Sequence, residues 1–81
     1  MPRYQVTEED RQRIERDFTY HQPLPDQLPR YKEIRDAARG FAVDIMTFCP
    51  PSRERSLALT NLDQVVMWAN AAIARNEKEG N

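Results

Sequence analysis

Apolar positions in the middle of the chain recur with the spacing of a helix. Tyr31, Ile34, Ala38, Phe41, Ile45 and Phe48 follow one another three or four residues apart, with Ala42 and Cys49 alongside. Such spacing lays one apolar face along a helix and predicts one over about 30–48. Pro50 and Pro51 end it, because neither can donate to the helical ladder. Ser52 then stands where a cap is wanted, and a further helix is predicted over about 53–77. At 1.5 Å per residue it would run about 37 Å. With so short a turn between them, the two long helices are expected to form an antiparallel hairpin.

The apolar positions of this last helix are too broad for one seam. Leu59, Leu62, Val66, Ala69 and Ile73 make a row, and Ala58, Val65, Met67, Trp68 and Ala72 widen it well beyond. Two helices share only one mutual face. The excess calls for another surface, either the short first helix or a second copy of the chain, and the small residues of WANAAIA would let backbones approach closely there. Ahead of the hairpin, Thr7 reads as an N-cap followed by Glu8, Glu9 and Asp10, which suit the positive end of a helix. Only Ile14 and Phe18 give this short helix, about 8–18, an apolar stripe, so it must dock on something. HQPLPDQLP, residues 21–29, makes a stiff connector, since each proline biases its predecessor towards extended backbone. Pro29 suits the first turn of the helix that follows. The fold class is all-α: a short N-terminal helix and a long antiparallel hairpin in one domain, 1–81, assembling as a homo-oligomer.

Size sharpens the need for assembly. An 81-residue chain buries only a modest part of its surface alone, and small domains compensate with disulfides, metals or association. Cys49 is the one cysteine, so no intrachain disulfide forms, and Cys49 with His21 falls short of a four-ligand zinc set. Lys and Arg number 12 against 13 Asp and Glu, a net charge of −1 that argues against a DNA coat. No apolar run reaches the length of a membrane span, and no signal peptide is recognisable. A free thiol without an export signal points to a cytoplasmic setting.

The chain offers little for catalysis. Cys49 continues the apolar stripe of its helix and reads as a buried, inert thiol, and Ser52 reads as a cap. There is no Gly-rich phosphate loop and no repeated carboxylate–histidine pattern for a metal. Neither a catalytic residue, a metal nor a cofactor is expected. Binding has more to draw on. Tyr20, just past the first helix, is either a shelf on which a base can stack or a connector residue packed on the hairpin. Arg30, Lys32 and Arg35 near the start of the second helix either meet phosphate or form a solvated face with Glu33 and Asp36. His21 reads as a surface residue beside prolines.

FTYHQP, RYKEIRDAARGFA, CPPSRERSLALTNL and VVMWANAAIARNE, in that order from Phe18 to Glu77, resemble the small phage anti-CBASS proteins that sequester cyclic-nucleotide immune signals. Their helical hairpin domain is shared with anti-Thoeris sponges. The resemblance implies a homohexamer of hairpins without enzymatic activity. It places cyclic dinucleotides such as cGAMP between paired protomers and, in some members, cyclic trinucleotides around a threefold axis. Tyr20 is then the base-stacking residue and Arg35 the cation that meets phosphate, with Arg30 and Lys32 as alternatives. Arg75 falls near the threefold pocket, and Thr19, His21 and Asn76 lie adjacent. A symmetric pair of chains brings two copies of one cation to two phosphates, which a nearly neutral chain cannot do through net charge. The alternative is a non-enzymatic helical module for protein interaction or structural oligomerisation. A sequence-specific nucleic-acid binder would need a basic face that the charge balance does not supply.

Overall fold

The computed structural model describes residues 3–77, which form three helices and, among the described residues, no strand: α1 (Glu8–Phe18), α2 (Gln27–Phe48) and α3 (Arg53–Asn76). α1 starts where the sequence places it. The Thr7 hydroxyl accepts from the Asp10 amide at 3.1 Å, and the Asp10 carboxylate accepts from the Thr7 amide at 3.0 Å. This reciprocal pair satisfies two donors that a helix start otherwise leaves free. The Thr7 amide also holds the Asp10 carboxyl below its usual range.

α2 begins at Gln27, earlier than the periodicity predicts. Pro29 is therefore the third helical residue, where its missing N–H has no intrahelical acceptor to lose. The Gln27 amide donates to the Leu24 carbonyl at 2.9 Å and closes the turn that starts the helix. At the other end Cys49 is extended and its amide donates to the Ile45 carbonyl at 3.0 Å. The last carbonyls of α2 find a partner from across the turn: Arg55 donates to Met46 at 3.3 Å and to Cys49 at 3.2 Å. Ser52 caps α3 as expected, accepting from the Arg55 amide at 3.1 Å.

α2 and α3 run antiparallel. Arg30 meets Glu77 at one end, and Met46 and Cys49 meet Arg55 at the other. Along the seam Ile34, Ala38, Ala42 and Ile45 are half-buried, as are Leu59, Leu62, Val66, Ala69 and Ile73. The row foreseen on α3 is thus the inward one. Val65, Met67, Trp68 and Ala72, which widen it, are exposed. Two expectations need correction. Phe41 and Phe48 share the α2 stripe but lie outside the seam, and Phe48 keeps 80% exposure. Cys49 is exposed rather than buried, because the helix has already ended and its extended backbone carries it off the stripe.

Among the described residues no hydrophobic side chain is fully buried. The radius of gyration is 17.6 Å and the extents are 49 × 43 × 14 Å. A packed globule of this length would have a radius of about 12 Å. The described residues form a single layer of helices without a buried apolar interior. α1 extends from that layer, tied to α3 through Asp17, which lies 3.8 Å from Arg75. Among the described residues no helix is long and apolar enough to cross a membrane.

Candidate functional site

The end of α1, the proline connector and the last turn of α3 enclose an open concavity of about 760 Å³. That volume is in the range of small-molecule sites. Thr19, Tyr20, His21 and Arg75, all singled out from sequence, line it together with Arg16, Gln27 and Glu77. Tyr20 is 81% exposed, so its ring is not consumed by packing on the hairpin. His21 is fixed by its neighbour: Nε2 donates to the carbonyl of Arg16 at 2.7 Å, folding the connector against the final turn of α1. The prolines that follow keep the segment extended, which leaves Tyr20 projecting as a shelf.

Charges around the concavity are arranged in pairs. Asp17 receives Arg16 at 2.8 Å, Arg13 at 3.6 Å and Arg75 at 3.8 Å. The Arg16 hydrogen bond, aided by the charges of Arg16, Arg75 and Arg13, holds the Asp17 carboxyl below its usual range. Three guanidiniums facing one carboxylate leave donor capacity for a further anion. Glu77, which lines the concavity two residues after Arg75, receives Arg30 through both oxygens, at 2.7 and 2.6 Å. Its carboxyl is pulled down to about 2, first by Arg30 and then by Gln27.

The other sequence-selected residues are placed elsewhere. Arg30 is engaged with Glu77 and Asp26. Lys32 pairs with Asp36 one turn along α2. The Asn76 amide turns back to the Ala72 carbonyl at 2.8 Å. Arg35 borders a second groove, of about 400 Å³, between α2 and α3, with Arg39, Asp63, Leu62 and Val66 around it. Within one chain, then, Tyr20 and Arg75 share a concavity, and Arg35 belongs to another. Sequence reasoning missed Arg16, Asp17, Gln27 and Glu77. Arg16 and Asp17 sit one helical turn before Tyr20 and were within reach of inspection; Gln27 and Glu77 meet only through the fold. Among the described residues no group of three or more His, Cys, Asp or Glu side chains is disposed to hold a metal.

A family model described as "Acb2/Tad1, hairpin domain" matches residues 10–74 of this chain, from the first turn of α1 nearly to the end of α3. The protein belongs to that family. Acb2/Tad1 hairpin domains are those of the anti-CBASS and anti-Thoeris sponges, and membership suggests a cyclic-nucleotide sponge with a non-catalytic binding domain. No curated protein and no solved structure matches the chain. The matched stretch of the hairpin domain includes Tyr20, Arg35 and the second groove, and it stops one residue short of Arg75.

Proposed function

We propose that the protein is a phage sponge that binds cyclic di- and trinucleotide second messengers and withholds them from CBASS signalling without cleaving them. It works in the cytoplasm of the infected bacterium as a homo-oligomer, a hexamer by analogy with its family. The observation that carries this reading is the meeting of a projecting aromatic and cations in one concavity of an Acb2/Tad1 hairpin. Tyr20 offers a face to a base, and Arg16 and Arg75 offer N–H donors to phosphate oxygens. Because Arg35 is remote from Tyr20 within one chain, it reaches the same dinucleotide only from a second copy. Assembly is supported by the exposed apolar residues and by the lack, among the described residues, of a buried apolar interior. Slow release from an enclosed seam would serve sequestration, and no turnover is needed.

The test is Tyr20→Ala with cGAMP as the probe in titration calorimetry. Loss of the aromatic platform is expected to weaken binding by roughly 10- to 100-fold, at about 1–3 kcal/mol per stacked base, while the assembly keeps its mass. Unchanged affinity removes Tyr20 from the site. The second reading, a helical interaction module, draws on the exposed Val65, Met67 and Trp68. Mixing the protein with cGAMP, filtering the protein away and assaying the filtrate separates the two. Undiminished cGAMP favours the module.

A further inference from the structure

The proline connector meets the last turn of α3 at a small, closed set of polar contacts. Gln27, 3% exposed, is the one buried residue among those described. Its Oε1 accepts the Leu24 amide at 2.9 Å, and its Nε2 donates to Glu77 Oε1 at 3.0 Å. Arg30 places Nη1 on Glu77 Oε2 at 2.7 Å and Nη2 on Oε1 at 2.6 Å. Its Nε turns back to the Asp26 carbonyl at 3.3 Å. Glu77 and Gln27 line the concavity that holds Tyr20 and Arg75, whereas Arg30 stands behind them. With Nη1 and Nη2 matched to both oxygens of Glu77, and Nε and Nη2 also turned to Asp26, the guanidinium has no free fork left for a phosphate. A bare carboxylate on the wall of an anion site, on the other hand, would repel the guest.

We propose that Arg30 serves the pocket without touching its guest: it masks the Glu77 carboxylate, and Gln27 holds the masked pair beneath the proline connector so that the pocket admits an anion. The proposal rests on the reading that this pocket takes cyclic oligonucleotides. Arg30 and Gln27 are positioning residues, and Arg30 leaves the set of candidate phosphate contacts. A merely structural clasp predicts that breaking it from either side has the same consequence. A mask predicts opposite signs, because removing Arg30 bares a negative charge and removing the charge of Glu77 frees a positive one.

The experiment is a double-mutant cycle on the full chain, with cGAMP and a cyclic triadenylate as probes in titration calorimetry at two salt concentrations. Arg30→Ala is expected to weaken binding about tenfold, more at low salt than at high, as for a repulsion between exposed charges. Glu77→Gln is expected to tighten binding about threefold at low salt. The combination Arg30→Ala with Glu77→Gln is expected to regain most of the loss. A double variant as weak as Arg30→Ala, or weakening by Glu77→Gln alone, overturns the mask. Two readouts need no ligand. The Glu77 carboxyl, followed by carbon NMR, should titrate closer to its ordinary value in Arg30→Ala, and the Leu24 amide should exchange faster in Gln27→Ala. If the native protein binds neither probe, the sponge reading fails, and an unmoved Glu77 titration separately overturns the clasp.

Discussion

Replacing Trp68 with alanine tests whether the uncovered side of α3 is a seam between copies. Trp68 keeps 67% of its surface exposed in the single chain, so it contributes little to the hairpin that carries it. A large aromatic side chain withdraws about 150–250 Å² from water when fully covered. Covering what remains of Trp68 therefore removes on the order of 150 Å², or about 4 kcal/mol at ~25 cal/mol per Å². Ordering the side chain takes back about 0.5–1.5 kcal/mol, and alanine retains part of the contact. A loss of about 2–3 kcal/mol per copy follows, which weakens association roughly 30- to 150-fold for each tryptophan at the seam. Sedimentation velocity over a hundredfold range of concentration, about two decades around the micromolar, reads that shift directly. The native protein should also melt at a temperature that rises with concentration, since only the assembled form covers these residues. A native chain that sediments as a monomer throughout, with a melting midpoint independent of concentration, would refute the reasoning. So would a Trp68→Ala assembly as tight as the native one.

Further expectations concern both pocket and scaffold. Because Arg75 shares the concavity of Tyr20, Arg75→Ala should weaken cyclic dinucleotides and cyclic trinucleotides alike in calorimetry; a loss confined to trinucleotides would show that Arg75 serves a separate site. Thr7→Ala removes half of the reciprocal cap of α1 at a cost of about 1 kcal/mol, seen as faster amide exchange in the first turn; unchanged exchange denies the cap. Acid should open the clasp. The folded Glu77 carboxyl titrates at about 2, below its ordinary 4.5, so its contribution is complete above the higher value and fades as pH falls through the lower. The Leu24 amide is expected to lose protection within that window, and protection that persists below it assigns the turn to other contacts.

The hairpin was legible because its residues obey one local rule. Spacings of three and four place Ile34, Ala38, Ile45, Leu62 and Val66 on facing stripes, and Pro50 and Pro51 leave only a short turn between them. Width was legible too, since Val65, Met67 and Trp68 could not fit behind a single seam. What escaped depends on residues far apart in the chain. Gln27, the first residue of α2, reaches Glu77 fifty positions later, and no window of local pattern contains both. Phe48 and Cys49 fit the stripe by period, yet the helix ends between them and the seam does not extend that far. At the candidate site, Thr19, Tyr20 and His21 come together simply as neighbours, whereas Arg75 arrives because α3 returns along α2 to the connector. For Lys32 the fold shows the solvated face with Asp36 that the sequence offered as one reading, whereas Arg30 is engaged by Glu77, which local pattern could not supply.

These pairings bear on where a multiply charged guest could be held. Near the first concavity Asp17 engages Arg16 and Arg75, and Glu77 engages Arg30. Among the described residues neither Arg35 nor Arg39 forms an ion pair, and both border the apolar groove of the hairpin. The aromatic shelf and these two arginines are therefore on different parts of one chain. A sponge that needs both must bring them together from separate copies, and a two-fold seam would supply each twice. Exposed apolar residues driving such a seam would also exclude water from it, and so would strengthen any contact between guanidinium and phosphate made inside. Folding and guest binding then draw on the same surface. Helices that bury no apolar side chain among the described residues would then enclose a ligand where copies meet.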